Sequence, residues 1–261
     1  MALSSARNTR ILANTKLNQT VKHTAKNRSQ KPRMDFEELY IAVRQQEKRI
    51  YTDEQLQLLP DVDHIYYDEW KIRKRSSERL TDYLSKKHKR LKILEVGCGN
   101  GWLSARLANI PDTQVVGLDI NQLEIDQANR VFKKDNLQFI YDSFSENTFE
   151  NDQFDVIVFA ASLQYFPSVI NVMKQALAIL KKGGEVHIID TPFYTPDETE
   201  KADERSQKYY ATLGIPEMAE HYFHHSISEF WGFKYEILFD PTRIFNMIFK
   251  KDPFYWVCIR K

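Results

Sequence analysis

An apolar run, Ile93-Leu94-Glu95-Val96, feeds three glycines in five positions, Gly97-Cys98-Gly99-Asn100-Gly101. Trp102 and Leu103 then open an amphipathic pattern continued by Leu107. The succession predicts a buried strand, a tight turn and the start of a helix. Glycine permits a sharp bend and leaves room for a ligand against the backbone. The first turn of a helix contributes unpaired N–H groups and a positive dipole end. Such a bend suits a ligand's carboxylate or phosphate. The dinucleotide fingerprint G-x-G-x-x-G needs a glycine where this chain has Trp102. The third glycine arrives one place early, and Glu95 stands two residues before the first. Both departures disfavour a nicotinamide or flavin.

The remainder of the chain follows an alternating pattern. Strands are predicted at 92–96, 114–119, 137–141, 154–160 and 184–189, with helices near 102–109, 122–133 and 168–181. That order implies a parallel sheet with helices on both faces and right-handed crossovers. The end differs. Ser226 to Trp231 has a helical pattern closed by Gly232, and Lys234–Asp240 and Phe254–Arg260 both look like strands. With no good helix pattern between them, these two are expected to pair antiparallel.

Ahead of this core lie two different stretches. Residues 1–34 carry eight Lys/Arg and no Asp or Glu, leaving 29 basic against 36 acidic groups in residues 35–261, a net of −7. A basic globular surface for nucleic acid is therefore not indicated. The tail lacks the apolar content to bury, so disorder is expected. A transit peptide, an electrostatic arm, or a start at Met34 are alternatives. Residues 35–90 read as a helical cap, with Phe36, Leu39, Tyr40 and Val43 at helical spacing and a second helix from His64 to Leu84. The expected organisation is a tail (1–34), a cap (35–90) and a core (91–261) with an insertion at about 191–225.

No apolar run approaches the ~20 residues of a membrane helix. Cys98 and Cys258 are the only cysteines. Two cannot make a disulfide framework, and they fit a reducing compartment, so the expectation is cytoplasmic, with organellar targeting by the tail as the alternative. No Cys/His cluster has zinc spacing, so no metal is expected.

Four further segments carry chemistry. Asp119 ends Val115-Val116-Gly117-Leu118-Asp119-Ile120-Asn121, 22 residues beyond Gly97. A carboxylate at a strand's carboxyl end can accept from both hydroxyls of a ribose; the alternative is a helix cap. Asp142-Ser143 ends the third strand, where an adenine amino group can meet the carboxylate and a ring nitrogen the Ser143 N–H. Phe159-Ala160-Ala161-Ser162-Leu163-Gln164-Tyr165 opens the fourth strand into small residues that admit a ligand. Lys181-Lys182-Gly183-Gly184 is expected to end a helix, with glycine as its cap. After it, His187 is expected to be a satisfied core histidine, and Asp190 is better placed for function.

Together ILEVGCGNG, VVGLDIN, IYDSF, FDVIVFAASLQYF and LKKGGEVHIID resemble the class I S-adenosylmethionine (SAM) dependent methyltransferases, in particular their small-molecule, type 11/12-like branch. The resemblance is close over residues 90–190. It implies an α/β Rossmann-like three-layer sandwich with a seven-stranded sheet, order 3-2-1-4-5-7-6, strand seven antiparallel. It implies SAM as cofactor, with Gly97, Gly99 and Gly101 lining its methionine and ribose, Asp119 on the ribose, and Asp142 and Ser143 on adenine. Ala160 and Ser162 flank the sulfur; Glu95, Cys98 and Ile120 belong to the same wall. In this location the helix before the first core strand often caps the cofactor. Arg73 can pair its carboxylate, and Trp70 or Tyr66 can face the sulfonium; a solvated basic face is the alternative. The Asp/Asn-Pro-Pro-Tyr signature of adenine and glutamine methylases is absent, since Ala161-Ser162-Leu163-Gln164 stands there.

The implied acceptor is a small molecule, met by Gln164, Tyr165 and Tyr194, with His221 or His224 as a base where one is needed. Methyl transfer by direct displacement is the expected reaction. A non-catalytic SAM-binding module and a nucleic-acid methyltransferase using the tail are the other readings.

Overall fold

In the computed structural model the described residues are 34–61, 66–145, 147–248 and 252–261, with the side chains of Phe245 and Ile248 left out. Residues 1–33 of the tail expected over 1–34, and the helix start at His64 and Ile65, lie outside them. Residues Met34–Lys261 form one compact unit that includes the expected cap.

Three helices come first: α1 (Phe36–Gln46), α2 (Asp53–Gln57) and α3 (Tyr67–Ser85). Two open on reciprocal caps. Asp35 accepts from the Glu38 N–H and Glu38 returns to the Asp35 N–H; Thr52 and Gln55 do the same. Each cap satisfies N–H groups that a helix start leaves orphaned. The core alternates β1 (Leu91–Val96), α4 (Trp102–Leu107), β2 (Thr113–Asp119), α5 (Gln122–Val131), β3 (Leu137–Tyr141), β4 (Phe154–Ala160), α6 (Val169–Ile179) and β5 (Leu180–Ile189). Then come α7 (Pro196–Thr212), β6 (Tyr235–Phe239), α8 (Ile244–Ile248) and β7 (Trp256–Arg260), with 3-10 turns at Leu163–Tyr165, Pro216–His221 and Ile227–Phe230.

The seven strands make one sheet, ordered β3-β2-β1-β4-β5-β7-β6. β1 to β5 pair in parallel, and β7 runs antiparallel to both β5 and β6. The expected fold is the observed one. Alternation along the strands divides two cores. Leu94, Val96, Ile157, Phe159, Val186 and Ile188 face α6, whereas Ile93, Val115, Val156 and Val158 face Leu80, Leu84, Leu103 and Leu107 of α3 and α4. Covering both faces explains strands that read as nearly continuous apolar runs.

Three local expectations need correction. The helix before Lys181 ends at Ile179, and Lys181-Lys182-Gly183-Gly184 already lies in β5, because Leu180 pairs opposite Phe154 across a bulge. Gly184 is required there for space: a Cβ would lie 2.7 Å from Leu180 Cγ and 2.9 Å from the Asp155 carbonyl oxygen. The stretch from Ser226 forms only a 3-10 turn. A short helix, α8, sits between the last two strands where no helix pattern was evident.

Candidate active site

The strand order reverses between β1 and β4, and open parallel sheets bind ligands outside the carboxyl ends of their strands at such a point. There the turn after β1 and the turn after β4 touch. A Cβ on Gly97 would lie 2.5 Å from Ser162 Cβ, and Ser162 Oγ donates to the Val96 carbonyl at 2.6 Å. Gly97 and Gly99 adopt φ of +73° and +51°, the left-handed region that L side chains avoid.

Two cavities meet over these turns. The larger holds about 630 Å³ and the smaller about 270 Å³. Both are bounded by Tyr40, Gly97, Ala161 and Tyr165. The smaller runs along β2 and β3, past Asp119, Ile120, Asn121, Asp142, Ser143 and Ser162. The larger runs from Gly97, Cys98, Gly99 and Glu95 past Ala160 and Gln164 to a group of tyrosines, among them Tyr194, Tyr210 and Tyr222.

Asp119 is held by two backbone donors. Its Oδ2 accepts from the Gly99 N–H at 2.7 Å and its Oδ1 from the Asn121 N–H at 2.8 Å. This ties the ends of β1 and β2 together and leaves the second lone pair of each oxygen for a ligand. Asn121, which borders the smaller cavity, caps α5 through its side-chain oxygen, while its buried Nδ2 has no hydrogen-bond partner among the described residues. Asp142 borders it too, but the Ser143 N–H expected to meet a ring nitrogen is donated to Asp142 Oδ1 at 2.7 Å.

Gly101 lines neither cavity. A Cβ there would sit 2.4 Å from Phe139 Cε1 and 3.0 Å from Ala128 Cβ. Its glycine is required for helix–sheet packing, which corrects the expected ligand contact. Cys98 is buried, its thiol pushed up by burial and by Asp119. Glu95 is 2% exposed; burial pushes its carboxyl up to about 8, against the hydrogen bond donated by Ser104. The protonated acid is therefore the resting form at neutral pH.

On α3, Trp70 and Arg73 both line the larger cavity. Trp70 Nε1 donates to Tyr51 Oη at 2.9 Å, and its ring meets Trp102 edge-on at 5.3 Å. Arg73 Nε donates to Glu69 at 3.0 Å, and Arg49 engages the same carboxylate with two bonds. Burial raises the Glu69 pKa, but Arg73 and Arg49 outweigh it and hold the carboxyl below its usual range.

The cap supplies walls that no motif announced. From α1, Tyr40 faces both cavities and Arg44 the larger one, with Glu124 as Arg44's nearest carboxylate at 3.9 Å. Helical spacing in 36–43 marked Tyr40 as packing and left Arg44 unremarked; only the cleft beneath makes them lining.

On the acceptor side, Tyr165 meets Phe36, Tyr40 and Tyr222 edge-on at 5.7–5.8 Å, and burial pushes its phenol up to about 12. Gln164 lines the larger cavity, as does Tyr194. The two candidate bases part company. His221 borders the smaller cavity, its ring 5.4 Å from Phe36. His224 lines neither: its side chain is 1% exposed, with Nδ1 2.6 Å from Asp203 and Nε2 3.0 Å from Ser206. That ring ties α7 to the chain after the 3-10 turn, so the expected base role for His224 gives way to a packing one.

Away from the cleft, His187 is fully buried, accepting from Trp256 Nε1 and facing Glu185 at 3.2 Å. Cys258 completes a trio with them, the one group among the described residues close enough to share an ion. Lys87 and Arg260 already neutralise Glu185, which makes the trio a core ion-pair network.

A seven-stranded sheet in this order, with a glycine bend after β1 and an acid ending β2, is the fold that the resemblance to class I SAM-dependent methyltransferases implied. Residues 93–184 match the family described as "Methyltransferase domain". The 27-O-demethylrifamycin SV methyltransferase of Amycolatopsis mediterranei is 28% identical over 139 residues, 50% of this chain and 51% of that one. The demethylmenaquinone methyltransferase of Lactococcus lactis is 34% identical over 106 residues, 39% and 42% respectively. The chain thus spans about half, or less, of the curated relatives it matches. Among solved structures, the plantazolicin methyltransferase BpumL in complex with SAH aligns with a TM-score of 0.52 at 18% identity, covering 85% of this chain and 99% of that one, a likeness of fold.

Proposed function

We propose that this protein transfers a methyl group from SAM to a small-molecule acceptor by direct displacement. The observation that carries the reading is the pair of cavities meeting at Gly97 and Ala161, one running along Asp119 and Asp142, the other ending among tyrosines. The bend fits the cofactor on its own geometry: Gly97 and Gly99 line the larger cavity with bare backbone in a left-handed conformation, and the buried Asn121 Nδ2 beside the smaller one has no hydrogen-bond partner among the described residues. When bound, SAM supplies an electrophilic methyl on a sulfonium.

In this reading Asp119 accepts from the ribose, and Asp142, Ile120 and His221 border the adenine end. Glu95, Cys98, Ala160 and Ser162 wall the methionine and sulfur, with Trp70 and Arg73 above. The chain's work is alignment of nucleophile, methyl and sulfur, with water excluded by α1. The named activities of the relatives in Amycolatopsis and Lactococcus support a small acceptor, and the lining by Tyr165, Tyr194, Tyr210 and Tyr222 supports one with flat or apolar surface. No observation favours a non-catalytic module or nucleic-acid methylation. Among the described residues no helix is long and apolar enough to cross a membrane. The free cysteines Cys98 and Cys258 support a reducing compartment such as the cytoplasm. Calorimetric titration with S-adenosylhomocysteine (SAH) tests the cofactor, and labelled SAM with a metabolite extract tests transfer. Absence of heat with SAH would end this reading.

A further inference from the structure

Two residues lining the larger cavity each carry a buried oxygen acceptor that lacks a donor among the described residues. Asp190, 6% exposed, receives Ser76 Oγ on Oδ2 at 2.8 Å, while its Oδ1 has no hydrogen-bond partner among the described residues. Gln164, 7% exposed, donates from Nε2 to the Ala161 carbonyl at 2.7 Å, while its Oε1 likewise has none. Both residues line the cavity. They are neighbours by register: Ala160 lies opposite Ile189, and the Ala161 N–H donates to the Ile189 carbonyl. Each strand leaves the sheet through a non-glycine residue in the left-handed region, Ala161 at φ +53° and Asp190 at +54°. Such strain gathers where a side chain must be aimed. A buried acceptor left without a donor is destabilising, so two beside one cavity call for a ligand that donates.

We propose that Asp190 and Gln164 form the acceptor's end of the cleft, that the acceptor is a hydroxyl or N–H compound rather than a carboxylate, and that Asp190 takes its proton. This rests on the methyltransferase reading above. As the acceptor's oxygen or nitrogen forms its bond to the methyl carbon, the carbon–sulfur bond breaks and its electron pair stays on sulfur. The acceptor's proton moves to Asp190 and then to water. A carboxylate acceptor, already anionic, has no proton to give and meets the Asp190 charge. The groups facing Asp190 are Arg73, Ser76 and Arg79 of α3 and Asp252 ahead of β7. Burial pushes its carboxyl up to about 6, opposed by Arg73, which suits a base working near neutrality.

The test titrates SAH-loaded protein with four probes of one shape: 2-naphthol, 2-naphthylamine, 2-naphthoate and 2-methylnaphthalene. SAH itself is titrated first; if it does not bind, the methyltransferase reading falls and this inference with it. With SAH bound, naphthol or naphthylamine should bind at least about fivefold more tightly than methylnaphthalene, and naphthoate least well. No such preference, or a preference for naphthoate, overturns the inference alone. Asp190→Asn should keep SAH affinity within about twofold while lowering labelled methyl transfer to the preferred donor probe roughly 100-fold or more, and should lose the rise in rate with pH that the wild type is expected to show. Loss of SAH binding in that variant would put the carboxylate on the cofactor and overturn the proposal. So would equal rates for the two proteins at every pH.

Discussion

Replacing Gly101 by alanine separates packing from ligand binding in the glycine bend. At φ +79° an L residue carries a cost of ~1–2 kcal/mol from contact of its Cβ with the backbone. The new methyl would also lie 2.4 Å from Phe139 Cε1 and 2.5 Å from Cζ. The ring is buried against Ile125 and Ala128, so it cannot swing clear cheaply. Overpacking of that kind costs ~1–3 kcal/mol. The total is roughly 2–5 kcal/mol, or a fall in thermal midpoint of roughly 4–20 °C for a domain of this size. Gly183→Ala is the control: its φ is +74° but nothing lies within 4 Å of the added methyl, so only the backbone cost remains. Scanning calorimetry gives the midpoints, and SAH titration of the folded variants gives affinity. Gly101→Ala should be the less stable of the two and still bind SAH within about threefold of wild type. An unchanged midpoint for Gly101→Ala, or an SAH affinity lost without loss of stability, would refute the assignment of Gly101 to packing.

Three other outcomes concern the buried Glu95 and His224. Glu95 holds its proton to about pH 8 in the fold against 4.5 for a free glutamate, so its burial weakens the protein progressively as pH rises from 4.5 and fully above 8. Glu95→Gln, which can still accept from Ser104, should therefore be more stable than wild type at pH 9, by up to roughly 5 kcal/mol at about 1.36 kcal/mol per pH unit, and match it at pH 4; equal pH profiles would contradict this. SAM should release more protons on binding at pH 7 than SAH, since a cation beside the protonated Glu95 favours its ionised form; calorimetry in buffers of different ionisation heat would count them, and equal release would remove Glu95 from the sulfonium's surroundings. His224→Ala, which unties the ring from Asp203 and Ser206, should lower stability by about 1–3 kcal/mol while leaving turnover within about twofold; a collapse in turnover at unchanged stability would return that ring to the chemistry.

Local signals carried much of this. Gly97 and Asp119 were identifiable because a bend after a buried strand and an acid ending the next strand depend on chain-local pattern and spacing. The antiparallel close of the sheet was legible for the same reason, in two strand patterns with no crossover helix. Other parts were not. Tyr40 and Arg44 sit at ordinary helical spacing on α1, and nothing in that spacing marks them as walls of a cleft. His221 and His224 are three residues apart, yet one borders a cavity and the other is locked to α7.

What the string of residues settled was therefore the alternation of the core and the order of the sheet, because periodicity and glycine spacing are properties of neighbours along the chain. Packing across the chain decided the rest. It set which glycine faces a ring, which carboxyl keeps its proton, and which oxygens of Gln164 and Asp190 go without a donor. Burial and hydrogen bonding are made by residues dozens of positions apart, and no window of sequence contains both partners.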